Sequence, residues 1–553
     1  MKKLLSLIFI FTALLAVVLR CQPDNIVPTH SEEPLTSITA RLSINGFDDL
    51  DFTGYPDANG KVVIEIPYFY PEASDNQTPS TVLTTAKMSA VLVNNAVITE
   101  PLTVMDISTE QTIKVIDQVK KERIYTVIGK IVKSNLCEIT DFQIPALDLA
   151  GVIKGGEISL ISIDDIPKTT ASVTVSPHAT ISPDPATTEI DYNGTVTFTV
   201  TAFDGVTKKT YTVKKGVPDK IEQGIRDGSA KILFAKKLAE DIGITTINLT
   251  GGIAVSGDYL VINTRNEPLR VINRMTGEFV REVSLGDIQG GLKNFYITND
   301  DAGHIFICNL SPQAGDFTIW KMKDIDSAPE VYITRAAGNA FGRKFSIQGN
   351  TDQDAVITAP CHTNPTIGFY RWVVRNGVLG NIEWGTATGA GPWNNNIDIV
   401  YSKPDPTSDY FLHGYSDNRL TWMDGSTNTV KAMLGAISVN YVPNAVDFIE
   451  FNNASILATN QVNSQTWGMA DYIWLLDVSN PADFKGTLDA GNVPAVKWFT
   501  FGEYGPKAIG HAANGNATGD LGLWQSSNGY YLYLYFMFTN GYVVGVQFDC
   551  ISM

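Results

Sequence analysis

Leu269-Arg270-Val271-Ile272-Asn273-Arg274-Met275-Thr276-Gly277-Glu278-Phe279-Val280-Arg281-Glu282-Val283-Ser284-Leu285-Gly286 holds two short runs, 270–273 and 279–283, around a Met-Thr-Gly break. Short β-branched and aromatic runs separated by a Gly-containing turn read as a β-hairpin. The pattern continues in both directions. Tyr296-Ile297-Thr298 and His304-Ile305-Phe306-Ile307 flank Asn299-Asp300-Asp301-Ala302-Gly303, and the run from Tyr370 to Arg375 meets Asn376-Gly377. Asn540-Gly541 separates two aromatic-rich runs near the end. Asn-Gly between apolar runs favours a tight hairpin, because both central residues must adopt positive φ.

From about residue 228 onward, short strands with turn residues recur roughly every ten positions, the pattern of an all-β propeller or a large sandwich. Six units begin near residues 252, 291, 342, 396, 444 and 496, with seven as the alternative count. Four strands of about five residues plus turns fill such a unit. Residues 231–238 are expected to supply the strand that closes the ring against the last blade.

The preceding third repeats itself. Asp117-Gln118-Val119-Lys120-Lys121-Glu122-Arg123-Ile124-Tyr125-Thr126-Val127 and Asp204-Gly205-Val206-Thr207-Lys208-Lys209-Thr210-Tyr211-Thr212-Val213 both follow an alternating strand, 112–116 and 195–201. Each describes a hairpin, and the copies lie about 86 residues apart, the size of an immunoglobulin-like sandwich. The expected order is a signal peptide over 1–20, a tether over 21–35, sandwiches over 36–132 and 133–217, and a propeller over 218–553.

The signal reading rests on Lys2 and Lys3 before an apolar run from Leu4 to Leu19; a transmembrane anchor, the alternative, would need a longer apolar stretch. Cys21 directly after that run resembles a bacterial lipoprotein signal, which implies acylation of Cys21; Arg20 departs from the small residue usual there. The paired sandwiches resemble tandem domains of Bacteroidetes surface lipoproteins. The 269–286 stretch resembles outer strands of a blade in repeat propellers of bacterial surface proteins. Ile473-Trp474-Leu475-Leu476-Asp477-Val478-Ser479-Asn480-Pro481 is similar to a strand and turn of another propeller class. As a whole, the order resembles Bacteroidetes surface lipoproteins described as cell-adhesion or glycan-binding proteins. The resemblance implies export to the outer membrane or cell surface, with membrane contact only through a lipid anchor.

Composition narrows the partners. Asp plus Glu number 58 against 41 Lys plus Arg, a formal net charge of −17, which repels nucleic acid and anionic membranes and suits a neutral ligand. Local catalytic signatures (HExxH, GxSxG, a P-loop) are missing, and the six histidines never fall at metal-ligand spacing. Cys361 and His362 are neighbours, yet adjacent strand residues point to opposite faces, so they read as structural. No cofactor, metal or catalytic residue is expected. A glycosidase needs only two carboxyl groups about 5–10 Å apart, for which Asp398, Asp417, Asp424, Asp447 and Glu503 are the candidates.

Sugar rings stack on aromatic faces while amides and charged groups bond their hydroxyls. All nine Trp lie between Trp320 and Trp524. Trp320, Trp372, Trp422 and Trp474 sit in alternating runs and read as core. Loop aromatics beside amides are the better ligand candidates: Trp393 with Asn394 and Asn395, Trp467, Tyr504, Trp524, and Tyr415 with Arg419. The sequence therefore points to a non-catalytic cell-surface protein capturing a neutral glycan on the propeller face. The alternatives are a protein–protein adhesin or outer-membrane assembly subunit, and a glycan hydrolase or lyase.

Overall fold

The structure, a computed structural model, describes residues 33–42, 50–311, 315–336, 340–341, 343–362, 368–391, 396–415, 417–437, 442–466, 468 and 470–552. The protein is all-β, with only short 3-10 turns between strands among the described residues, and it divides into two compact units, Met1–Val217 and Pro218–Met553.

The first unit opens with two four-stranded sheets. One runs Asp51–Gly54, Leu35–Arg41, Ala86–Leu92, Val104–Met105; the other runs Lys61–Pro67, Glu122–Val132, Gln111–Ile116, Val97–Ile98. Alternation along each strand turns Ile38 and Ala40 of one sheet toward Val62, Ile64 and Val127 of the other, in one buried cluster. The strands of the following repeat pair into one continuous seven-stranded sheet around a single buried cluster. The physical reason is Leu149–Lys154, whose first residues pair with Ile139–Ile144 and whose later residues pair with Glu157–Ile161. A strand that changes partner partway joins two layers into a continuous sheet.

The two repeats share chemistry as well as spacing. Asp117 Oδ1 accepts the N–H groups of Val119 at 3.0 Å and Lys121 at 2.9 Å, and Asp204 Oδ1 accepts those of Val206 at 2.7 Å and Thr207 at 2.8 Å. Each aspartate thus ties its hairpin turn. One strand beyond each turn, the buried Tyr125 and Tyr211 donate their hydroxyls to Glu33 and Glu138, residues just before the first strand of each repeat. Both repeats also contain a parallel pair, Lys61–Pro67 with Glu122–Val132 and Glu157–Ile161 with Lys208–Gly216.

Among the described residues the second unit holds six sheets of antiparallel strands. Sheets 1 to 5 begin with Thr250–Ser256, Tyr296–Asn299, Ser346–Gly349, Ile397–Tyr401 and Val446–Phe451, and each continues through three further strands in chain order. A short extra strand, Ala340–Phe341, also pairs in sheet 3. Sheet 6 starts at Gly519–Gln525, not near residue 496. Val496–Phe501, whose Trp498 and Phe499 look like a fresh start, is the fourth strand of sheet 5. Sheet 6 takes its own fourth strand, Lys231–Lys237, from the beginning of the unit. The six first strands pack in cyclic order, sheet 6 returning to sheet 1, so the circuit closes.

Apolar side chains fill the spaces between successive sheets. Trp372, Trp422 and Trp474 are buried, as expected from alternation, whereas Trp320 is half-buried against the cluster between sheets 1 and 2. Between sheets 4 and 5, Phe411 stacks on Phe448 with centroids 5.6 Å apart, and Phe484 meets Trp422 edge-on at 5.6 Å. The four described cysteines beyond Cys21, namely Cys137, Cys308, Cys361 and Cys550, are buried free thiols.

Candidate functional site

The first strands of the six sheets enclose a cavity of about 690 Å³. Strands must pair at their edges, but the first strand of each sheet has one edge with no strand beside it. Polar side chains from neighbouring sheets take up the free N–H groups there. Asp520 Oδ2 accepts the Ile253 N–H at 2.8 Å, Asp447 Oδ2 accepts the Leu523 N–H at 2.7 Å, and Asp398 Oδ2 accepts the Val446 N–H at 3.3 Å. Asn299 Oδ1 does the same for Val255 at 2.8 Å without a charge. Ser346 donates its hydroxyl to Asp398 Oδ1 at 2.6 Å. These residues stitch sheet to sheet around the cavity.

One end of the cavity is closed by an ion pair. Lys344, entering sheet 3, donates to Asp520 of sheet 6 at 2.5 Å, and both are almost fully buried. The Lys344 ammonium also lies 4.3 Å from the Tyr296 ring centroid, and the Tyr296 hydroxyl donates to Asp520 Oδ1 at 3.0 Å. The other end is bordered by Trp524, Ser526, Gln348 and Arg274. The Arg274 guanidinium is fixed by Gly257 O at 2.8 Å and the Tyr535 hydroxyl at 3.3 Å.

Enclosure by the sheets pushes the Asp398 carboxyl up to about 6 and that of Asp447 up to about 7. Burial also pushes Asp520 up, against the pull of Lys344. Raised carboxyl pKa values in a cavity are what a general acid would need. Here, however, both oxygens of each group are engaged: Asp398 Oδ1 also accepts the Ile399 N–H at 3.1 Å, and Asp447 Oδ1 accepts the Phe448 N–H at 2.8 Å. Asn299 performs the equivalent task with no titratable proton, so the task is N–H acceptance.

The remaining carboxylate candidates lie elsewhere. Asp417 pairs with Arg419 at 2.6 Å and accepts the Gly391 N–H at 3.1 Å. Asp424 ties a turn through Ser426 and Thr427, and exposed Glu503 accepts the Thr500 hydroxyl at 3.2 Å. Buried His413 is pushed down to about 3, and its Nδ1 lies 2.7 Å from the Thr459 hydroxyl. Among the described residues no group of three or more His, Cys, Asp or Glu could hold a metal ion.

Trp393, Asn394, Asn395 and Trp467 lie outside the described residues, as does Cys21. Tyr415 is exposed, and its N–H donates to Asn396 O at 3.1 Å, while Arg419 pairs with Asp417. Tyr504 is half-buried, edge-on to Phe536 at 5.5 Å and Tyr542 at 5.8 Å. Trp524 is not a loop residue: it sits in Gly519–Gln525 opposite Tyr533. It therefore stands at the far end of that strand from Tyr504, which abuts Gly541 beside the strand's start. Asn299, Ser346, Gln348 and Arg274 were missed at the sequence level. A polar residue inside an otherwise apolar strand, as at Asn299, Asp398, Asp447 and Asp520, was the available signal.

An all-β unit whose sheets form a closed circuit around a polar cavity is the class defined by this geometry. The chain belongs to the family described as Domain of unknown function (DUF8500), which it matches over residues 232–549. Residues 139–215 match Domain of unknown function (DUF8499), and residues 16–129 match Domain of unknown function (DUF5018). No curated protein matches the chain.

Proposed function

We propose that the protein is a non-catalytic cell-surface binding protein that captures a glycan. In this reading the six sheets are the blades of a six-bladed β-propeller, closed by Lys231–Lys237 in the last blade. The two preceding repeats are immunoglobulin-like modules that act as spacers, and Cys21 carries the lipid anchor of an exported, outer-membrane protein. The cyclic packing of the first strands supports the propeller.

The observation that carries the functional reading is the cavity of about 690 Å³ with Trp524 at its open end. That volume falls within the range of small-ligand sites, about 300–1,000 Å³. The Trp524 indole offers an apolar face to a sugar ring, while Ser526, Ser527 and Gln348 offer hydroxyl and amide partners. Carboxyls occupied by backbone N–H groups favour binding over hydrolysis. Affinity electrophoresis through gels containing neutral polysaccharides tests the proposal. Retardation by at least one glycan, reduced about tenfold or more by Trp524→Ala, is expected; free migration through all of them would overturn it.

A second reading is a protein–protein adhesin, and one observation favours it. Phe499 and Phe501 are exposed on the fourth strand of sheet 5, at 59% and 49%. Recovery of one specific outer-membrane protein, lost in Phe499→Ser, together with free migration in every glycan gel, would favour that reading.

A further inference from the structure

We infer that the end of the ring opposite Trp524 binds the carboxylate of an acidic sugar between Arg265 and Arg343. The sugar part rests on the glycan reading above; the anion part does not.

Arg265 directly follows the second strand of sheet 1, Tyr259–Thr264, and Arg343 precedes the first strand of sheet 3, Ser346–Gly349. Both positions fall at the end where the first strands begin, the end closed by Lys344 and Asp520. The Arg265 guanidinium lies 4.4 Å from the Phe295 centroid, with Nη2 donating to Asn248 O at 3.0 Å and Nε to Leu249 O at 3.4 Å. Those contacts fix its plane and leave the Nη1 edge for a ligand. Arg343 is half-buried and has no hydrogen bond or ion pair among the described residues.

This is an exception in an acidic chain. Eight other described arginines, Arg41, Arg123, Arg226, Arg270, Arg281, Arg371, Arg375 and Arg419, pair with a carboxylate. Arg274 and Arg335 donate to tyrosine hydroxyls. Burial and the charge of Arg343 hold the Arg265 guanidinium below its ordinary value, and burial does the same to Arg343. The axial carboxylates near this end are taken: Asp520 by Lys344, Asp398 by Ser346 and the Val446 N–H, and Asp447 by the Leu523 N–H. Two enclosed guanidinium groups that repel each other and lack a counter-charge are costly. A carboxylate with two parallel oxygens matches the guanidinium fork and relieves that cost.

A sugar, which reaches further than an inorganic anion, is favoured by polar side chains of sheets 4 and 5 at the same end of the ring. There, Gln461 Nε2 and Oε1, Gln465 Nε2 and His413 Nε2 are buried without a partner among the described residues. All three residues are more than nine-tenths buried. Hydroxyl groups both donate and accept, so they answer this mixture of orphan donors and acceptors. The net charge of −17 slows the approach of an anion but acts weakly on the final contact, because screening cuts off long-range repulsion beyond about 8 Å at physiological salt.

Isothermal titration of the full chain with trigalacturonate, maltotriose and sodium sulfate tests the inference. Trigalacturonate is expected to bind, with sulfate competing. R343Q should weaken it at least about tenfold, the scale of a lost charge-assisted pair, and R343K by less. A melting curve for R343Q like that of the wild type would show that the loss is local, as expected for a side chain with no partner among the described residues. The inference is overturned if trigalacturonate does not bind, or binds R343Q as well as wild type. Binding of sulfate alone would overturn the sugar part. Maltotriose binding without trigalacturonate binding would leave the glycan reading standing and this one fallen. Arg343-dependent binding of trigalacturonate with no neutral glycan bound would do the reverse.

Discussion

Enclosure raises the Asp447 carboxyl to about 7, so the folded chain keeps a proton there that the unfolded chain releases near the ordinary carboxylate value of 3.8. Between those values the folded state binds more protons than the unfolded state, and stability falls as pH rises. The slope for one such group is at most about 1.4 kcal/mol per pH unit, and water in the cavity lowers it because Asp447 is only half-buried. Urea titrations of wild type and D447N at pH 5 and pH 7.5 should show the variant with the flatter dependence. Parallel slopes would show that Asp447 ionises normally. The buried Lys344–Asp520 pair gives a second residue-scale expectation. K344M leaves Asp520 uncompensated and should cost about 3–5 kcal/mol, whereas K344M/D520N should cost less, since Asn still accepts the Ile253 N–H. Equal losses in the two variants would mean that the charge of Asp520 is not what Lys344 offsets. These residues show why the site was half-legible. Asp398 and Asp447 were visible as carboxylates, but their role as stitches depends on partners 48 or more positions away that only pairing of the sheets reveals.

Strand Lys231–Lys237 is separated from its partner Tyr542–Asp549 by the whole length of the unit, yet it completes sheet 6. Its buried Phe234 lies where two glycines make room: a Cβ on Gly545 would come within 2.5 Å of the ring, and one on Gly277 within 2.6 Å. F234A should destabilise the unit by about 3–5 kcal/mol through the cavity it leaves, and G545A by about 1–3 kcal/mol through overpacking. Thermal or urea unfolding of the two variants checks this, and a neutral G545A would mean that Phe234 does not seat there. Gly277 also has φ +70°, a conformation that glycine adopts without strain, so its role is double. The hairpin around Gly277 was readable from sequence because turn chemistry is local. The start of sheet 6 was not: Trp498 and Phe499 carry the composition of a first strand, and only the pairing of Val496–Phe501 with Tyr472–Asp477 places them at the outside of sheet 5. The joining of the second repeat into one sheet was hidden for the same reason. Two residue pairs of Leu149–Lys154 with Ile139–Ile144 decide it, and no periodicity encodes them.

At the scale of the whole molecule, the division at Val217 and Pro218 separates two sets of cores, each complete within its own stretch of chain. The second unit carries its own closing strand and a bidentate link from Arg226 to Asp549, at 2.8 and 2.6 Å, that fastens its beginning to its end. A polypeptide spanning 218–553 should therefore fold alone and melt with the same transition that the full chain shows for that unit. Differential scanning calorimetry of the two proteins checks this, and loss of the transition in the shorter one would show that the division is not one of stability. The argument extends to binding, because the cavity, Trp524, Arg265 and Arg343 all belong to the second unit. Its ligands should bind the shorter protein as tightly as the full chain. Salt should then tell the two sites apart: a neutral glycan at Trp524 should bind equally at 50 mM and 500 mM NaCl, while an anion held by two guanidinium groups should weaken as salt rises. Equal salt dependence for both ligands would mean that the two ends of the ring are not chemically distinct.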